Sequence, residues 1–390
     1  MTRNRMRRIV KTPYKSLRIG SPPKGCRACV KGAKLVLLAT GVCRVGCWYC
    51  PLSTRKKGKD VIVANEWWVR KDEDIIEEAR LTQAEGAGIT GGDPLCRLGR
   101  TIHYIRLLKR KFGRKFHIHL YTPGGLATPE TLKKLCRAGL DEIRFHPDFL
   151  NGGKTDISAI KAALGFDWSV GVEIPVIPGR VRQTKEFIRL IDDAGADFLN
   201  LNQFEISETN AAAMAHKGFE AESDASFAVK GSAKAAKALL DYCAKHTKLR
   251  VHYCTVRLKD GVQLRNRLKR RAKNAAKESD IITEDGLLIR GAIYLPESLP
   301  SFDYHRMLER MPNAKKTRMA KTLRLAALKI RRKFNIPSTL IAVERERLRI
   351  LTGAWIVEEI AGELKDMGLR PAVVEEYPTW DALITDLTTL

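Results

Sequence analysis

Long hydrophobic runs are missing from this 390-residue chain, and no apolar stretch reaches the roughly 18 residues that a membrane-spanning helix needs. Residues 1–20 are basic but carry no apolar segment of the kind a secretory signal uses, so a soluble, cytoplasmic protein is expected. The cysteine count of nine is odd and unevenly clustered, which argues against a disulfide framework and for reduced thiols available to a metal. No internal repeat and no low-complexity linker interrupts the chain, and a hydrophobic content of 44% suffices for one large core and a smaller one.

Acid is the scarcer charge, with 44 Asp and Glu against 70 Lys and Arg. The excess is local. Residues 1–24, 257–277 and 305–333 together hold 28 of the basic residues and two of the acidic ones, so the remainder is balanced at 42 of each. A general bias toward solubility would spread along the chain. Short basic stretches suit a phosphate-bearing partner, most often nucleic acid, and tRNA or another RNA is the expected one.

From about residue 33 to 256, short apolar runs alternate with helical stretches. "AKLVLLATG", "AGITGG", "FHIHLYTPG", "DEIRFHP", "WSVGVEIPVIPG" and "DFLNLNQFEIS" read as strands. Between them lie helical segments with legible ends. Asp72 or Asp74 caps a helix that Gly86 stops, while Thr128, Pro129 and Gly139 cap, start and end another. Six such alternations imply an α/β fold of parallel strands with crossover helices. They fit an open doubly wound sheet or a partial barrel equally well. In both, reactive groups gather at the strand C-terminal ends, where "CRVGCWYC", "GGDPL", "FHPD", "VIPGR" and "NQFEIS" all fall. Past about residue 280 a smaller α/β domain is expected, entered through the basic helix "AKKTRMAKTLRLAALKIRRKF".

"CRVGCWYC" places Cys43, Cys47 and Cys50 in C-x3-C-x2-C spacing. Structural zinc sites use four protein ligands and ferredoxin clusters four cysteines. Three cysteines would leave one iron of a [4Fe–4S] cluster open to a substrate. The loop, placed after a first strand, resembles the cluster loop of the radical S-adenosylmethionine (SAM) superfamily. The likeness extends to about residue 210. "GGDP", Gly91 to Pro94, resembles the family's G-G-E-P turn, with Asp93 in place of Glu, and "VIPG", with Ile177 and Gly179, resembles its fifth-strand motif near the adenine.

The resemblance implies a partial (β/α)6 TIM-like barrel. It implies a [4Fe–4S] cluster on Cys43, Cys47 and Cys50, SAM held by Gly91, Gly92, Asp93 and Pro94, and an electron-donor protein as partner. His146, Glu173 and Asn202 are candidates for the ribose. The layout is most similar to an archaeal group related to pyruvate formate-lyase activating enzymes. The expected activity is reductive cleavage of SAM to a 5′-deoxyadenosyl radical that abstracts hydrogen, with RNA as substrate. The alternatives are a protein-modifying or glycyl-radical activating enzyme, and a metal-stabilised RNA-binding protein without catalysis.

Cys26 and Cys29 in "CRAC", with His252 and Cys254 in "VHYC", make a candidate second site for zinc or an auxiliary cluster. Cys96, Cys136 and Cys243 are expected as buried thiols. The expected organisation is an arm at 1–29, a core at 30–256, a basic helix or linker at 257–279 and a C-terminal α/β domain at 280–390. Arg265, Lys269 and Lys273 would share one face of the linker helix.

Overall fold

The apolar runs become strands because each is short and β-branched or aromatic in part, and most are followed within two residues by Gly or Pro. The computed structural model describes residues 6–150, 155–301 and 303–390, so residues 1–5 of the basic arm lie outside the described residues. Two compact units are present, Met1–Arg267 and Leu268–Leu390. The arm at 1–29 falls within the first unit, and the stretch at 257–279 is divided by the boundary.

The first unit opens with β1 (Ile9–Lys11), β2 (Leu17–Ile19), α1 (Lys24–Val30) and β3 (Lys34–Thr40). There follow β4 (Val63–Ala64), β5 (Trp67–Trp68), α2 (Asp72–Leu81), β6 (Gly86–Gly91), α3 (Leu98–Phe112), β7 (His117–Thr122), α4 (Pro129–Ala138) and β8 (Glu142–Phe145). Next come α5 (Ser158–Ala163), β9 (Ser169–Val176), α6 (Val181–Ala194), β10 (Phe198–Gln203) and α7 (Ala211–His216). The hairpin β11 (Ala221–Ser223) and β12 (Ser226–Val229) precedes α8 (Ser232–His246), β13 (Arg250–Cys254), α9 (Val256–Leu258), a π-helical turn at Lys259–Leu264, and α10 (Arg265–Ala275), within which the boundary falls.

The sheet order is β1-β2-β13-β10-β9-β8-β7-β6-β3-β4-β5. Its seven central strands, β3 to β13, are parallel. The seventh, β13, lies past the last of the six expected strands, though within the expected core. It joins because α8 is a full crossover helix that returns the chain beside β10. β3 and β13 are not paired with each other, so the barrel is partial. Antiparallel pairs cover both edges, β1–β2 on β13 and β4–β5 on β3, which leaves neither parallel edge as a bare template.

The helices pack by their apolar stripes. α6 buries Phe187, Ile188 and Ile191, each fully buried side chain stabilising the unit by roughly 2 kcal/mol. Helix ends follow local chemistry. Thr128 Oγ1 accepts from Thr131 N–H at the start of α4, and Gly139 ends it at φ +99°. For α2 the expected boundaries shift. Lys71 is the cap residue, and Asp74 reaches back to accept from Arg70 and Lys71 N–H at 2.8 and 3.1 Å. That helix ends at Leu81, and Gly86 instead begins β6.

The second unit contains β14 (Ile281–Ile282), β15 (Leu288–Tyr294), α11 (Tyr304–Arg310), α12 (Asn313–Lys333), β16 (Ala342–Glu344) and β17 (Arg349–Thr352). It closes with α13 (Ala354–Glu359), α14 (Ala361–Asp366), β18 (Arg370–Glu376) and β19 (Ile384–Thr389). Its sheet is antiparallel, in the order β16-β17-β15-β18-β19 with β14 on β15. The basic helix α12 does not precede this unit but belongs to it, with Met319, Leu323, Ala327 and Ile330 buried in its core.

Candidate active site

A cavity of about 670 Å³ opens at the C-terminal ends of the parallel strands. Cys43, Cys47 and Cys50 border it, as do Gly91, Gly92, His146, Glu173 and Asn202. Five separate strand ends, β3, β6, β8, β9 and β10, therefore bring the expected residues to one place.

The cluster loop is held from both sides. Gly92 N–H donates to Thr40 carbonyl and Asp93 N–H to Val42 carbonyl, each at 2.8 Å, so the GGDP turn runs edge to edge with the start of the loop. A Cβ on Gly92 would stand 2.3 Å from the Val42 carbonyl oxygen, which is why that position is glycine. Asp93 does not border the cavity. Its Oδ1 accepts from Leu95 N–H and Thr122 Oγ1, both at 3.1 Å, and burial pushes its pKa up. The side chain thus braces the turn from within. Pro94 is buried behind it, with its carbonyl taken by Thr101 Oγ1 at 2.8 Å.

Ile177 and Gly179 lie outside the cavity lining. Ile177 packs in a small cluster with Phe204, Met214, Trp48 and Tyr49, beneath the cluster loop, and Gly179 turns the chain into α6 at φ +79°. Trp48 stacks on Phe219 with ring centres 5.7 Å apart and meets Phe204 edge-on at 5.8 Å. Asn210 Nδ2 donates to Tyr49 carbonyl at 3.1 Å, which ties the loop to α7.

His146 is held in one tautomer. Its Nδ1 donates to the Glu173 carbonyl at 2.8 Å, leaving Nε2 to accept from Tyr49 OH at 2.9 Å. Burial lowers its pKa, so the ring is neutral.

Glu173 sits in a buried ionic layer inside the sheet. Its Oε2 accepts from Arg144 Nη1 at 2.8 Å and Asn200 Nδ2 at 2.9 Å, and its Oε1 from Asn202 Nδ2 at 3.0 Å. Arg144 also binds Glu142, Nε to Oε1, at 2.6 Å. Burial alone would raise both carboxyls, but Arg144, with Asn200 and Asn202 for Glu173 and His117 for Glu142, holds each down to about 2. The layer continues through Tyr121, whose OH accepts from Arg144 at 3.0 Å, to Lys34 at the cavity floor, 6.0 Å from the Tyr121 ring. Arg144, Glu142, Lys34, Tyr121 and Asn200 were not foreseen. The signal was the polar alternation in "HIHLYT", "EIRF" and "FLNLNQ", which marks an inner face that is charged where an apolar one was assumed.

The donor chemistry of the loop fits a [4Fe–4S] cluster: three free, half-buried thiols border one cavity, and each would take its own iron. Among the described residues, no three His, Cys, Asp or Glu side chains are grouped as ligands of one metal ion.

The second site is not assembled. Cys29 Sγ donates to Gln263 Oε1 at 2.9 Å, and Gln263 Nε2 donates to Cys254 Sγ at 3.5 Å, so an amide fills the space between the two thiols. Cys26 Sγ accepts from Asn200 Nδ2 at 3.3 Å, and His252 Nε2 faces Ser16 Oγ at 3.3 Å. Burial pushes Cys26 up to about 11 and Cys254 up to about 12, which leaves both as thiols. Cys243 is buried as expected, whereas Cys96 and Cys136 are half-buried.

A family model described as the radical SAM superfamily matches residues 37–152, which contain the cluster loop and the GGDP turn. A second, described as a domain of unknown function (DUF8061), matches residues 286–390. A Methanocaldococcus jannaschii protein, provisionally named a glycyl-radical enzyme activating enzyme, is 44% identical over 277 residues, covering 69% of this chain and 72% of the relative. The chain belongs to the radical SAM superfamily. Among solved structures, SuiB of Streptococcus suis bound to SAM matches with a TM-score of 0.41 at 13% identity, covering 57% of this chain and 50% of that one. Escherichia coli coproporphyrinogen III oxidase, a radical SAM enzyme, matches at 0.35 and 12%, covering 56% and 55%. This chain spans about half the length of those structures.

Proposed function

We propose that the chain cleaves SAM reductively at a [4Fe–4S] cluster held by Cys43, Cys47 and Cys50. When bound, such a cluster supplies the electron that splits SAM into methionine and a 5′-deoxyadenosyl radical, which takes hydrogen from a substrate. The observation that carries this reading is the meeting of three free thiols with Gly91 and Gly92 of the GGDP turn around one cavity.

The remaining tasks fall to the protein's own residues. The glycine turn offers backbone, not side chain, to the cofactor's amino-acid end. His146 presents a neutral, fixed ring. Glu173 and Asn202 offer a carboxylate and an amide of the kind that bind ribose hydroxyls. The aromatic packing of Trp48, Tyr49, Phe204 and Phe219 beneath the loop keeps water from one side of it.

The relative's name favours a protein substrate that is activated by hydrogen abstraction. The basic surface of the second unit favours RNA, for the reasons given below. The test is anaerobic. The reconstituted protein is mixed with a strong reductant and SAM, and 5′-deoxyadenosine is measured by chromatography, alone and with cell RNA or protein extract. Product from the wild type and none from Cys47→Ala is expected. No product under any of these conditions, from protein whose absorbance shows an intact cluster, overturns the reading.

A further inference from the structure

The three basic stretches that hold the chain's charge excess have different fates. In the first, Arg7 is spent on the carbonyls of Cys243 and Lys248 and the hydroxyl of Thr247. In the second, Lys259 pairs with Glu205 at 2.7 Å, Arg267 pairs with Glu66, and Arg271 is buried. Those cations hold the first unit together or lie inside the fold, while Arg8, Lys11, Lys15, Lys24, Arg257 and Lys273 stay exposed but are scattered over several elements.

The third is presented outward. α12 carries nine Lys and Arg over 21 residues and no acid. Eight of the nine are exposed, Lys316 alone being half-buried. Among the described residues none of the nine is ion-paired. Of the second unit's 22 basic and 17 acidic residues, α12 thus holds nine of the former and none of the latter.

We infer that α12 is an RNA-docking surface, which gives the C-terminal unit the task of bringing an RNA to the protein. The helix is about 31 Å long, and its cations flank the outward pole on both sides, with Arg318, Lys321 and Arg332 near the pole itself. Phosphates on two strands of a folded RNA can therefore be met at once. Beyond Asn313, α12 has no Asn, Gln, Asp or Glu, the side chains that read amide and acid patterns on base edges. Its Lys and Arg can still meet a guanine edge, but with cations alone recognition rests mainly on phosphate position, which suits RNA helices, whose deep, narrow groove hides the bases.

An anionic membrane fits less well. An interfacial helix needs a free apolar face, and the apolar stripe of α12 is already buried within its unit. Only Leu325 and Leu328 are exposed on the other side.

The test needs neither SAM nor reductant, so its failure is separate from any failure of SAM cleavage. Fluorescence anisotropy of labelled tRNA and of an RNA duplex is titrated with the full, reconstituted chain at several salt concentrations. The variant Lys321→Gln/Arg324→Gln/Arg332→Gln is compared with Lys234→Gln/Lys237→Gln/Lys245→Gln on α8, which removes the same charge from the other unit. The α12 variant is expected to bind at least about tenfold more weakly, with a salt slope shallower by about two, while the α8 variant stays within about twofold of wild type. Unchanged thermal unfolding of the α12 variant shows that it folds. Absence of RNA binding, equal loss in both variants, or binding to phosphatidylserine vesicles or polyglutamate in preference to RNA each overturns the inference.

Discussion

Two trios of cysteines lie in the first unit and have opposite surroundings. Cys43, Cys47 and Cys50 occupy a loop beyond β3 and border open space. Cys26, Cys29 and Cys254 occupy α1 and β13, and each meets an amide nitrogen or oxygen of Asn200 or Gln263. Either trio looks like a metal motif on paper. The difference teaches that spacing identifies thiols, while the space in front of them decides whether they can hold a group or merely satisfy their neighbours.

The sharpest way to break that contrast is to remove one thiol from each trio. Cys47→Ala is expected to abolish 5′-deoxyadenosine formation and lower bound iron. Cys254→Ala is expected to keep iron content and stay within about threefold of wild-type rate, since Cys254 stands outside the cavity. An equal loss of iron in both variants would mean that the two trios share one role.

Packing provides the next comparison. A Cβ on Gly25, beside Cys26, would stand 2.6 Å from both Arg144 Nη2 and His119 Nδ1, whereas a Cβ on Gly46, within the cluster loop, meets nothing within 4 Å. Gly25→Ala is expected to cost about 1–3 kcal/mol in chemical denaturation, and Gly46→Ala less than about 0.5 kcal/mol. Similar costs at both would show that α1 is not pressed against the ionic layer.

Alkylation of the unloaded, reduced protein at pH 8 compares the trios directly. With Cys254 at about 12, roughly one molecule in ten thousand carries the thiolate. Peptide mapping by mass spectrometry should find the loop cysteines modified well before Cys26 and Cys254. The smallest effect concerns acid. Glu142 and Glu173 have folded pKa values of about 2, below those of the unfolded chain, so their stabilisation is fully present above the ordinary carboxylate pKa of 4.5. It is lost as the pH falls from about 4.5 toward 2, and Glu173→Gln should flatten part of the stability curve in that window.

Much of the fold was legible. Glycine and proline punctuation located the strands and helices of the first unit, because crossover helices need both an apolar stripe and a stop. The cluster loop and the GGDP turn were legible because their chemistry needs fixed residue types at fixed spacing. The ionic layer was not. Arg144, Glu173 and Asn200 stand on different strands, and only the register of β8, β9 and β10 brings them together. The antiparallel sheet of the second unit was likewise hidden, since short strands pair with neighbours that sequence order does not name. Basic stretches were visible as charge, but which cations were spent internally depended on partners as distant as Arg267 and Glu66.

The pairing of β2 with β13 has a consequence for how the chain is made. Residues 17–19 find their partners at 251–253, and Ser16 meets Tyr253 and His252. During synthesis the first hairpin must wait, unpaired, while more than two hundred further residues leave the ribosome. Closure of the first unit is thus a late event of high contact order, slow by its topology and exposed to misassembly until it happens. Residues made more than two hundred positions before their partners are thus among the last to be secured.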